Sequence, residues 1–159
     1  MTKNQKMKID SLINALPKND QSIYRDIAEY AVKLGYTPSQ IKNVHGVIVA
    51  VAFSKSKAGR RLLKISPHES TLSLAFFASS EYSDHFQEKI RQDIDKGIVC
   101  TKKCENCAGK YTYDYSDGRK VHRCAIHSLV HISPIGVECV GEVKAMMKIQ
   151  DDFWYKQNR

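Results

Sequence analysis

The hydrophobic pattern changes period along the chain, and each change marks a new element. Met7 to Leu16 reads as a short helix that Pro17 ends. Asp20 or Ser22 can cap a second helix running to Leu34. Its apolar residues Ile23, Ile27, Tyr30, Ala31 and Leu34 recur at helical spacing, so one face is buried, and Gly35 is a stop signal. The period then shortens. Val47 to Phe53 is an unbroken run rich in β-branched residues and predicts a central strand. Ser54 to Gly59 is a polar turn. Arg60 to Ser66 predicts a second strand, with Lys64 between Leu63 and Ile65, and Pro67 to Ser70 a further turn. Thr71 to Ala78 predicts a third strand that puts Leu72, Leu74, Phe76 and Ala78 on one face. Turns this short imply antiparallel pairing. A third helix follows from about Asp84 to Gly97, with Phe86, Ile90 and Ile94 four residues apart. The pattern predicts an α+β body, with helices packed on one face of a small antiparallel three-stranded sheet.

Beyond Gly97 a different alternation begins. Tyr111, Tyr113 and Tyr115 share one side of an extended segment, and Thr112 and Asp114 the other. Asp117-Gly118 is a hairpin turn signal, so the chain should run out and back. Ser133-Pro134 then has the form of a helix start. Val140, Val143, Met147, Gln150 and Trp154 trace a mostly apolar stripe over a final helix, residues 134–156. Three parts result: a body at residues 1–98, a hairpin subdomain at 99–132, and a C-terminal helix at 133–159 that docks on the body. Neither an internal repeat nor a low-complexity segment interrupts them.

The longest apolar run has seven residues, against the ~20 needed to span a bilayer, so no membrane segment is expected. The first residues are polar and basic without an apolar stretch behind them, which predicts a cytoplasmic protein. That compartment bears on the five cysteines, because a reducing environment disfavours a disulfide framework. Four of them fall between Cys100 and Cys124. Cys104 and Cys107, two residues apart, can put both sulfurs on one ion in a tight turn, with Gly109 supplying the bend. The hairpin brings Cys124 back beside them, and His127 follows three residues later. Cys104, Cys107, Cys124 and His127 make a closed Cys₃His set suited to structural zinc, with the turn–hairpin–turn layout of a zinc ribbon. Cys100, His122 and His131 compete for the fourth position. Cys100 with the other three cysteines would instead suit an iron–sulfur cluster. Cys139, within the final helix, reads as a small buried hydrophobe.

Charge changes the picture further. The net charge is +8, from 25 basic and 17 acidic residues. Residues 1–98 hold 15 basic and 10 acidic groups, and residues 99–132 hold 6 and 3, so the excess lies on the body and the hairpin. Lys55, Lys57, Arg60, Arg61 and Lys64 sit together without an acid between them. Arg119, Lys120 and Arg123 lie on the hairpin among its tyrosines. Basic groups interleaved with aromatics suit single-stranded nucleic acid, and a basic face in general favours nucleic acid or an acidic protein. A nucleophile with its base, or a carboxylate pair, is not evident in the spacing. The sequence therefore points to a zinc-binding module with a basic surface rather than an enzyme. The alternative is a metal-dependent or redox protein centred on Cys100, Cys104, Cys107 and Cys124. Oligomeric state is not legible.

Overall fold

Thr2 opens the first helix. Its hydroxyl accepts the Gln5 N–H while the Gln5 side chain accepts the Thr2 N–H, a reciprocal cap that satisfies two otherwise unpaired donors. Helix α1 (Lys3–Ile13) therefore begins four residues ahead of the expected Met7. The structure is a computed structural model that describes residues 1–55, 60–75, 82–95, 111–114, 118, 120–123, 129–132 and 135–157. Helix α2 (Lys18–Lys33) has Pro17 at its N-cap. Asp20, expected as a possible cap, lies instead in the first turn, where the helix dipole favours a carboxylate. Gly35 ends the helix at φ 91, a conformation that costs a side chain dearly and glycine little.

Four strands follow as an antiparallel meander: β1 (Thr37–Lys42), β2 (Ile48–Lys55), β3 (Arg60–Ser66) and β4 (Thr71–Ala75). Strands β5 (Tyr111–Asp114) and β6 (Lys120–Arg123) pair with each other as the expected hairpin, with Gly118 between them at φ 85. Strand β7 (Leu129–His131) then adds to β4, giving one sheet in the order β1-β2-β3-β4-β7. The α+β class is as read from the sequence, but the main sheet has five strands, not three. The two extra strands are its edges. β1 reads Thr-Pro-Ser-Gln-Ile-Lys, with no hydrophobic alternation, because an edge strand buries little; Pro38, though buried, is tolerated there because an edge strand has a ladder on one side only and can spare an N–H. β7 has three residues, too few to show a period. Phe76 and Ala78, expected to extend the third strand, lie outside the described residues.

Cross-strand register sorts the two faces. Val51, Ile65 and Leu72 form one row, and Phe53, Leu63 and Leu74 the next. All six are buried and cluster with Ile9, Leu12 and Ile13 of α1 and Ile27, Ala28 and Ala31 of α2. At about 1.5–3 kcal/mol for each large aliphatic side chain removed from water, this layer holds the fold together. Helix α3 (Asp84–Asp95) adds Phe86 and Ile90, as its spacing predicted. A 3₁₀ turn, Val137–Cys139, leads into helix α4 (Val140–Gln157), so the final helix starts later than expected. Cys139 consequently sits half-buried in that turn, with Sγ 3.8 Å from Glu138 Oε1, rather than inside a helix. Val143, Met147, Gln150 and Trp154 form the buried stripe of α4. Lys144 Nζ reaches Asp26 Oδ2 on α2 at 2.6 Å, tying the last helix to the body.

Candidate nucleic-acid interface

A β-bulge decides which basic side chains of β3 share a face. Phe53 pairs with Leu63, but the next residue, Ser54, pairs with Arg61, leaving Leu62 as the extra residue. Leu62 and Leu63 are both fully buried in the same hydrophobic cluster. Without the bulge, Arg61 and Lys64 would alternate to opposite faces, because the side-chain period of a strand is two. With it, Arg61 stands opposite Ser54 and Lys64 opposite Ala52, two residues apart on β2 and so on one face.

That face is the one turned away from the α1 and α2 cluster. Its central row runs Ser39, Ala52, Lys64, Ser73, His131 across all five strands. The row beside it runs Thr37, Ser54, Arg61. Thr37, Ser39, Arg61 and His131 are exposed, and Ser54 and Lys64 half-buried. Ser73 is buried beneath its neighbours, and its Oγ lies 3.2 Å from His131 Nδ1. Among the described residues of these two rows there is no aspartate or glutamate. Two cations, an imidazole and several hydroxyls thus share this face, with no acid beside them among the described residues of these rows. A phosphate backbone is bound by this combination: cations release its counterions and hydroxyls donate to its oxygens.

The structure removes Lys55 from this surface. Its Nζ lies 2.5 Å from Asp151 Oδ1 and 4.5 Å above the centre of the Tyr36 ring. Tyr36 is fully buried and donates its hydroxyl to the same carboxylate oxygen at 2.8 Å. Burial, and then the hydrogen bond to Asp151, pushes the Tyr36 phenol well above its ordinary range. Asp151 reads in the sequence as a solvated helix-end acid; it is the anchor between α4 and the start of β1. The Lys55 charge is engaged there, and its role is structural.

The other expected basic residues divide. Arg60 is placed by backbone pairing with Lys55 at the start of β3. Lys57 and Arg119 lie outside the described residues. On the hairpin, Lys120 pairs with Asp114 and Arg123 with Tyr111. These positions alternate, so Lys120 and Arg123 do not share a face.

Of the expected metal ligands, Cys100, Cys104, Cys107, Cys124 and His127 lie outside the described residues. His122 pairs with Thr112 on β6, and His131 belongs to the main sheet beside Ser73. Among the described residues, three or more His, Cys, Asp or Glu groups do not come together at one point. What bears on the ligand set is hairpin register. Tyr111 faces Arg123; Cys107 precedes the first by four residues and Cys124 follows the second directly. No helix among the described residues is long and apolar enough to cross a membrane.

Compared with protein-family models, curated proteins and solved structures, the chain matches none.

Proposed function

We propose that this chain is a binding module for nucleic acid, and that the face of its main sheet carrying Arg61 and Lys64 is the contact surface. One observation supports this above the others: the β3 bulge turns Arg61 and Lys64 to the same side, in rows that hold no acidic residue among those described. A random surplus of lysine on a solvated protein needs no such device. His131 at the end of the Lys64 row adds a third group able to meet a phosphate, and Ser39 and Thr37 offer exposed hydroxyls at the opposite edge. An acidic protein would satisfy the same charges. The hydroxyls of Thr37 and Ser54 in the Arg61 row favour the closely spaced oxygens of a phosphate backbone.

The hairpin fits the same reading as a second, metal-held element. Cys104, Cys107, Cys124 and His127 would hold the ion. Three thiolates and an imidazole close a tetrahedral zinc site, so the ion would supply folding energy rather than a reactive position. A two-stranded ribbon is marginal in water, and a β5–β6 register that sets Tyr111, four residues after Cys107, opposite Arg123, the residue before Cys124, is consistent with such a site. Such a metal contributes on the order of 10 kcal/mol to folding in peptide systems. Arg123, with Tyr111 and Tyr113, would then extend the contact surface.

The test is anisotropy of a fluorescein-labelled oligonucleotide titrated with the protein. Arg61 is exposed and Lys64 half-buried, so the R61E/K64E variant should keep its fold by circular dichroism. Its affinity should fall at least about tenfold, since each phosphate contact is largely electrostatic. A folded double variant that binds as tightly as the wild type would remove the sheet face from the account.

A further inference from the structure

Pro67 follows β3 directly and has no N–H to give to a ladder. Pairing between β2 and β3 starts only at Val51–Ile65, so the first residues of β2 pair with β1 alone. The interruption leaves an open hollow of about 650 Å³ at the end of the cationic face. That volume lies within the range of roughly 300–1,000 Å³ typical of small-ligand sites. Ile41, Ile48, Ala50 and Pro67 supply apolar wall, and Lys64 and His68 are the titratable side chains that line it. There is no acid among its described lining residues.

Lys64 belongs both to this hollow and to the row that carries the phosphate-binding groups. A ligand that reaches both would join a mostly apolar body to an anion. A nucleobase on its phosphate answers that description; a base stacked inside a duplex cannot leave to fill the hollow without paying for unstacking. We propose that the hollow takes one unstacked base of a single strand whose phosphates lie on Lys64 and Arg61. This rests on the nucleic-acid reading above and narrows it to single strands. Aliphatic walls and proline accept the face of any base, so the preference is for strandedness and not for sequence.

The experiment compares one labelled strand with its own duplex on the full chain, for the wild type and for two variants. Val49→Trp fills the hollow from a wall position that is 39% exposed. His68→Glu, at an exposed position, adds a negative charge at the rim without adding bulk. The wild type should bind the single strand about tenfold tighter than the duplex, in line with one base contact. Both variants should lose that margin, V49W with its duplex affinity little changed and H68E with a smaller loss on the duplex from the added charge, and H68E tests the hollow even if V49W does not fold. Equal affinity for strand and duplex would overturn the proposal and leave the sheet-face reading standing. So would an H68E that keeps the margin, or a folded V49W that does. Binding of neither ligand would overturn both.

Discussion

Replacing Asp151 by alanine should cost far more than losing one surface ion pair. Asp151 Oδ1 is the acceptor for two donors, the Tyr36 hydroxyl at 2.8 Å and Lys55 Nζ at 2.5 Å. The two losses differ in size. Tyr36 is fully buried, so its hydroxyl would be left without its acceptor in the core, at about 1–3 kcal/mol. Lys55 keeps 24% of its side-chain surface and can turn to water, so its share is at most about 1 kcal/mol. Together they predict a loss of about 1–4 kcal/mol for D151A. Tyr36→Phe removes only the hydroxyl and leaves Lys55 with its partner, at about 1 kcal/mol. The informative variant is the double. With Asp151 gone the Tyr36 hydroxyl is a liability, so D151A/Y36F should be more stable than D151A itself. Urea unfolding followed through the single, buried Trp154 reads all three. If D151A lies within about 0.5 kcal/mol of the wild type, or the double variant is weaker than D151A, the anchor is misread. The same geometry predicts that Lys55→Ala alters stability and leaves oligonucleotide affinity unchanged.

Three further outcomes follow from separate parts of the structure. Gly35 sits at φ 91, and an added Cβ would meet Lys55 Cε at 3.3 Å; the lysine can shift but the backbone cannot, so Gly35→Ala should cost about 1–2 kcal/mol in a thermal melt, and an unchanged melting temperature would count against it. Burial and the Asp151 bond raise the Tyr36 phenol, so the folded chain keeps a proton that the unfolded chain releases near pH ~10. This group's contribution is therefore full below that pH and declines above it, and the urea midpoint of the wild type should fall more steeply than that of Y36F as pH rises past about 10. Protein purified without added metal should carry one equivalent of zinc and no visible colour, with the metal lost in Cys104→Ala, Cys107→Ala or Cys124→Ala; a coloured protein would put an iron–sulfur cluster, with Cys100, in that place instead.

What the sequence shows and hides has a physical pattern. The buried faces of α2, α3 and α4 are legible because each buries one stripe: Ile23 and Ile27, Phe86 and Ile90, Val143 and Met147. β2 is legible because both its flanks are covered by neighbouring strands. β1 is not, since an edge strand such as Thr-Pro-Ser-Gln-Ile-Lys needs few apolar residues to hold its place. The Thr2–Gln5 cap was available to reading, as Thr-x-x-Gln before an apolar periodic run, and marks a start that hydrophobic spacing alone places too late. The site is a harder case. Spacing puts Arg61 and Lys64 on opposite faces, and only the bulge at Ser54 and Leu62 reunites them. A bulge leaves no dependable mark in composition. Lys55 shows the converse: by charge it belongs with its basic neighbours, and only its long-range meeting with Asp151, 96 residues away, assigns it to the core's edge.

The salt dependence of single-strand binding tests the central claim most directly. With Arg61 and Lys64 each meeting a phosphate, log affinity against log salt should fall with a slope of about −1.4 or steeper, at roughly −0.7 per contact. The R61E/K64E variant should show a slope shallower by about that amount. A flat salt profile, or one that the double charge reversal leaves unchanged, would contradict a phosphate-binding sheet face.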